Sequence, residues 1–330
     1  MSEVSRRCFL GECLGGCAAL SGMLAGCKEG AVDGRLETKK SRGVSKVSAI
    51  SAAESKKIDE KVLESLKPED LVGERLWDGA KFSEAQARLR VAEVLKSGEM
   101  ASWAVYDVSK GSRIHHGAGV EWNKPERFSL GWLGSIVCAY TAMRTGHLGV
   151  DEVVLCRGDQ GVPQGHGKLN VVEALRVGCR SFFLQVAGRL TYEEFRIGAR
   201  LMRLEEQLPE RPEGFLERLR LYAEGEGLEV NFDELSRTGI RLARGDTGDA
   251  AMLAIRLGLL KNVRRGRAQN VGVPGMGIAG MIGSPKPKAG ESVSLFWSPF
   301  QKARFLFLAR STGETDPALL AGRVFKILRP

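Results

Sequence analysis

Short apolar runs that alternate with polar residues stand at both ends of residues 83–330, and the long stretch between them carries apolar residues every three or four positions. Residues 101–108 and 112–116 read as two strands joined by the turn Ser109-Lys110-Gly111, and residues 277–283, 292–300 and 303–311 as three more. Helical spacing runs through 132–146, 170–188, 191–204, 213–223 and 247–261, and again at 56–67, at 83–97 behind an N-capping Ser83, and at 317–328. Strands split by a helical block must find one another over long range. That order implies an α+β fold, an antiparallel sheet of about five strands flanked by helices with a helical subdomain, rather than a parallel doubly wound sheet. No internal repeat is evident.

The first thirty residues read differently from the rest. Ser5-Arg6-Arg7-Cys8-Phe9-Leu10 follows the twin-arginine export pattern, and a weakly apolar, Gly-rich stretch interrupted by Glu12 leads to Leu24-Ala25-Gly26-Cys27. The latter resembles a lipobox, where the signal is cut before a cysteine that carries diacylglycerol. A short buried helix with an accidental arginine pair is the alternative. The expected organisation is a signal peptide at 1–26, a lipidated flexible tether at 27–55 rich in Lys, Ser, Ala, Gly and Val, a short helix and linker at 56–82, and a folded domain at 83–330. No apolar run reaches the ~18 residues of a mature membrane span, so attachment would come from the lipid on Cys27. The implied address is the cell envelope, on the extracytoplasmic side of a membrane.

That address bears on charge and on cysteine chemistry. The formal charge is +9, which by itself suits nucleic acid, anionic lipid or wall polymer. Outside the cytoplasm, nucleic acid drops out as a partner, and Arg264-Arg265-Gly266-Arg267 becomes a solvated basic face or a contact to anionic lipid or polymer. Of the 7 cysteines, Cys8, Cys13 and Cys17 leave with the signal and Cys27 is lipidated, which leaves Cys138, Cys156 and Cys179. Cys156 and Cys179 are the favoured pair for a disulfide, with three separate buried thiols as the alternative. His115, His116, His147 and His166 show no triad-like or zinc-ligand spacing, and no metal or cofactor is expected.

Four stretches of 83–330 resemble, in order, the transpeptidase domain of penicillin-binding proteins, the fold shared with serine β-lactamases. Ala104-Val105-Tyr106-Asp107 with Lys110-Gly111 is similar to the family's first hairpin. Phe128-Ser129-Leu130-Gly131-Trp132-Leu133-Gly134-Ser135 is similar to the segment that normally reads P-G-S-x-x-K and opens the central helix. Gly165-His166-Gly167-Lys168-Leu169-Asn170 and the following Glu173-Ala174-Leu175-Arg176-Val177-Gly178-Cys179-Arg180-Ser181-Phe182-Phe183 resemble the helix that usually carries A-L-x-x-S-x-N. Val273-Pro274-Gly275 with Ile278-Ala279-Gly280-Met281-Ile282-Gly283-Ser284 resembles the strand that normally reads A-G-K-T-G-T.

The resemblance implies a serine nucleophile at a helix start, a lysine one turn later, a relay serine, and a strand lysine and threonine that hold the substrate carboxylate. The sequence places Trp132 at the nucleophile, Ser135 at its lysine, Gly178 and Arg180 at the relay serine and its asparagine, and Met281 and Ile282 at the strand lysine and threonine. Gly283 and the hydroxyl of Ser284 remain. S-x-x-K occurs nowhere in the chain. The expected protein is therefore a pseudoenzyme that binds or scaffolds, with peptidoglycan or the proteins that build it as partners. Arg180, able to hold a carboxylate or simply paired with a nearby Glu, and Ser284 are the candidate binding residues. Two rivals stay open. One is an active D,D-transpeptidase or carboxypeptidase using Ser129, Ser135 or Ser284 with an unfamiliar base; the other is an unrelated envelope adaptor.

Overall fold

The computed structural model describes residues 83–95, 100–119, 124–158, 162–245, 248–284, 290–313 and 315–329. The export sequence, Cys27, the tether and the helix expected over 56–67 lie outside them.

In chain order the described elements are α1 (Glu84–Val94), β1 (Ala101–Asp107), β2 (Ser112–Ala118), β3 (Phe128–Ser129), a 3₁₀ turn (Gly131–Leu133), α2 (Gly134–Arg144), β4 (Val154–Cys156) and β5 (Gly167–Leu169). There follow α3 (Val171–Val177), α4 (Arg180–Ala187), α5 (Tyr192–Leu201), α6 (Phe215–Glu224), β6 (Glu229–Val230), α7 (Phe232–Arg244) and α8 (Ala250–Arg265). The chain closes with β7 (Ala279–Gly283), β8 (Glu291–Ser298), β9 (Phe305–Thr312) and α9 (Pro317–Leu328).

Period-two alternation builds the sheet and decides what covers it. Along β9, Phe305, Phe307 and Ala309 enter one apolar cluster with α1 and α9, while Leu306 and Leu308 enter another with the helical block. β1 divides in the same way, with Ala101, Trp103 and Val105 to the first cluster and Ala104 and Tyr106 to the second. Both faces are buried, so the central strand reads as a nearly unbroken apolar run. The sheet has 5 strands in the order β2-β1-β9-β8-β7, every neighbouring pair antiparallel. Ala101 faces Ser311 and Asp107 faces Phe305, so the first hairpin is sewn to the last strands as the split pattern requires.

Helices of the insert deviate from the sequence reading in two places. The helix expected over 170–188 is two. Gly178 ends α3 in the left-handed region at φ 61, and the Cys179 sulfur then accepts from the Phe182 N–H to start α4. A left-handed Gly is an ordinary way to end a helix, and the apolar spacing on either side hides it. The second is α7, which the sequence reading leaves unassigned. Its buried stripe contains Ser236, Thr238 and Gly239 beside Leu235, Leu242 and Ala243, which dilutes the apolar period. Asn231 and Glu234 form a reciprocal capping box that marks its start. Two small two-stranded ladders, β3 with β6 and β4 with β5, were also beyond the sequence pattern, since strands this short have no period to read.

Candidate functional site

The 3₁₀ turn at Gly131–Leu133 delivers the chain into α2, and three tight approaches fix its position. A Cβ on Gly283 would meet the backbone nitrogens of Leu133 at 3.0 Å and Trp132 at 3.1 Å, so the end of β7 lies on the turn. A Cβ on Gly134 would stand 2.5 Å from the nitrogen of Gly225, and one on Gly225 would stand 2.6 Å from the carbonyl of Gly131. Gly225 is left-handed at the end of α6. The start of α2 is thus wedged between β7 and the C-terminal end of α6, with Trp132 half-buried against the core that also holds Leu133 and Met281. The expected neighbourhood of Trp132 and β7 is present.

The hydroxyls placed near this wedge are committed to the backbone. Ser129 Oγ donates to the Gly225 carbonyl at 3.2 Å, Ser135 Oγ to the Trp132 carbonyl at 2.7 Å, and Ser284 Oγ to the Glu291 carbonyl at 2.8 Å. None of these bonds is to a Lys or a His. Ser135 is fully buried. Met281 is buried in the cluster of the helical block, while Ile282, on the opposite face of β7, packs against the cluster formed with α1 and α9.

Arg180, the first residue of α4, pairs with Glu224 at the last turn of α6. Its guanidinium is about half exposed and the carboxylate mostly covered. The partner is a Glu, but one 44 positions on in the chain rather than a local one. Gly178 is held elsewhere: a Cβ there would meet the Arg267 side chain at 2.8 Å, at the end of α8. The sequence motif thus splits between two walls, Arg180 toward α6 and Gly178 toward α8.

A second cluster was not legible in the sequence. Cys156 ends β4, His166 precedes β5, and Cys179 caps α4; their ligand atoms all lie within 4.8 Å of one another. Cys156 Sγ is 3.6 Å from His166 Nδ1. Both cysteines are free thiols, as is the buried Cys138, so the disulfide expected between Cys156 and Cys179 is not formed although the two are brought together. No metal was expected, since spacings of nine and twelve intervening residues match no familiar ligand pattern; it is the fold that closes them into one cluster. Glycine closes the loop. A Cβ on Gly165, at φ 71, would stand 2.4 Å from the Cys156 carbonyl. Burial pushes the Cys156 thiol up, but hydrogen bonds from the His166 backbone, Cys179, the His166 ring and the Gly158 backbone together bring it down to about 6.

No family model and no curated protein matches the sequence. Solved structures do match the fold. A peptidoglycan glycosyltransferase from Burkholderia ambifaria is 16% identical with a TM-score of 0.62, covering 74% of this chain and 94% of its own. The transpeptidase domain of penicillin-binding protein 3 from Burkholderia pseudomallei gives 16% and 0.60, covering 74% of this chain and 92% of its own. The D,D-transpeptidase domain of a peptidoglycan glycosyltransferase from Eggerthella lenta gives 15% and 0.61, with 77% and 86% covered. At such identities the likeness speaks to architecture: the described domain has the fold of a penicillin-binding-protein transpeptidase domain.

Proposed function

We propose that the chain is a lipid-anchored protein of the cell envelope whose transpeptidase-fold domain binds or scaffolds in peptidoglycan metabolism and does not carry out acyl transfer. The observation that carries this reading is the state of the three candidate hydroxyls, each of which donates to a backbone carbonyl. A serine nucleophile needs a base that takes its proton as it attacks. With Trp132 at the nucleophile position, a fully buried Ser135 at the lysine position and Met281 and Ile282 on the strand, no proton acceptor or carboxylate anchor of the familiar kind is supplied. Losing one member of such a unit typically costs about 10⁴-fold or more in turnover.

The anchoring part of the reading rests on the order Arg6-Arg7, apolar stretch, Cys27. A lipidated cysteine adds about 0.8 kcal/mol per buried methylene, enough with several chains to hold a soluble domain on a membrane. The fold's solved examples include peptidoglycan-synthesis proteins, which makes the wall polymer, or the proteins that build it, the natural class of partner. The test has two arms. Purified protein is incubated with a labelled β-lactam and its intact mass recorded, and separately with isolated peptidoglycan in a sedimentation assay. Unlabelled protein that co-sediments supports the proposal. A stoichiometric acyl adduct mapping to Ser129, Ser135 or Ser284 defeats it in favour of an active enzyme.

A further inference from the structure

We propose that Cys156, His166 and Cys179 form a zinc site. Two thiols and an imidazole are the soft and borderline donors that select zinc over calcium or magnesium, which take oxygen ligands. The geometry fits the ion. With zinc–sulfur bonds of about 2.3 Å and zinc–nitrogen bonds of about 2.0–2.1 Å, a tetrahedral angle sets sulfur and nitrogen about 3.6 Å apart. Cys156 Sγ and His166 Nδ1 stand 3.6 Å apart, and the third donor is within 4.8 Å. Two thiolates also cancel the charge of a divalent ion, so a neutral assembly can be buried without a large desolvation cost.

The surroundings of the sulfurs favour metal over a disulfide. Cys179 Sγ accepts the Phe182 N–H at 3.4 Å, and Cys156 Sγ lies 3.6 Å from the His166 ring nitrogen. N–H groups aimed at sulfur stabilise a thiolate and serve a bridged sulfur little. Cys156 and Cys179 are buried and His166 is half-buried, which shelters the donors from competing water. Three protein donors leave one tetrahedral corner to a donor from outside the set.

The donors come from three elements, so the ion would fasten the β4–β5 hairpin to the first turn of α4. One further contact runs the same way, from Gln185 Nε2 of α4 to the Leu155 carbonyl of β4 at 3.1 Å. Arg180 follows Cys179 directly, so the site also sets where Arg180 meets Glu224.

The test uses the whole chain, purified under reducing conditions and analysed for metal by mass spectrometry. The proposal expects about one zinc per chain that survives dialysis, and release by a strong chelator that exposes two thiols to a thiol reagent. Cys156→Ser and His166→Ala each lose the zinc, whereas Cys138→Ala keeps it. A chain with Cys8, Cys13, Cys17 and Cys27 all replaced by Ser also keeps it, which separates this site from the N-terminal thiols. Should the single variants fold poorly, cobalt in the otherwise native chain reports directly through thiolate-to-cobalt charge-transfer absorption. Zinc content that is substoichiometric after loading, or unchanged by His166→Ala in folded protein, overturns the proposal. So does a Cys156–Cys179 disulfide that forms fully in the presence of zinc.

Discussion

Gly283 lies on the backbone of Trp132: a Cβ added to the glycine would stand 3.1 Å from the tryptophan nitrogen. Two segments 150 residues apart in the chain, the turn before α2 and the end of β7, are held in backbone contact because one of them has no side chain there. Gly283→Ala asks its neighbours to give by a few tenths of an ångström, and Gly283→Val by much more. The valine variant is expected to lose about 1–3 kcal/mol by overpacking. Urea unfolding of the variants checks this, and a valine variant as stable as the parent would show that β7 does not press on the turn.

Reconstruction of the missing chemistry is expected to fail step by step. Trp132→Ser alone restores a hydroxyl without a base, so no β-lactam adduct forms. Adding Ser135→Lys puts an ammonium at a fully buried position, which costs several kcal/mol of desolvation and pushes the lysine toward its neutral form. The double variant is expected to unfold at lower temperature than the parent and to label slowly and weakly at best. Intact-mass time courses and thermal melts on the same samples separate the two effects.

Acid should destabilise the fold through two carboxyls of the helical block. Burial pushes the Glu234 carboxyl up, but the Asn231 N–H and Arg127 outweigh it and hold the group below its ordinary value. Glu194 is held down in the same sense, with the Thr191 N–H and His147 outweighing burial. A depressed carboxyl stabilises the fold above its unfolded pKa and loses that contribution as pH falls through the folded one. The melting temperature is therefore expected to fall as pH drops below about 4.3, and less steeply in Glu194→Gln with Glu234→Gln. Equal slopes in parent and double variant would assign the acid loss to other groups.

The crossing of α5 over α2 depends on one missing methyl. A Cβ on Gly198 would stand 1.7 Å from Thr141 Oγ1, deep in the buried seam between the helices. Gly198→Ala is expected to cost at least about 1–3 kcal/mol, since neither backbone can yield without moving a helix. Thr141→Ala in the same chain should recover part of the loss. A thermal melt of the two variants checks both statements, and no recovery would place the strain elsewhere.

Where the sequence was readable, the reason was period. Strands β1, β8 and β9 stand out as short, nearly unbroken apolar runs because both of their faces pack apolar, and the long-range pairing of β1 with β9 follows from strands standing at both ends of a helical insert. The juxtaposition of Trp132 with β7 came from the family resemblance, which implies that the start of the central helix and this strand share one cleft. What was not legible depends on contacts without a period. Arg180 could be placed in the chain but not against Glu224, whose α6 lies more than thirty residues on. The break at Gly178 turns on one left-handed residue inside an apolar stretch. Cys156, His166 and Cys179 share no ligand motif, and only the return of β5 on β4 and the cap of α4 bring them together. A glycine on each side of a close loop, Gly158 and Gly165, was the one local sign available.

Because β9 sits between β1 and β8, the first hairpin waits for the last strand. During synthesis the β1 edge from Ala101 to Asp107 has no partner until residues 305–311 have left the ribosome, while the whole helical block can already condense from contacts nearer in sequence. An apolar strand edge held open that long is a template for pairing with another chain. A late step of folding is then the insertion of one C-terminal strand into a waiting slot, and a chain cut before Phe305 would keep the helices of the insert but lose β9 and α9, and would present that slot to its neighbours.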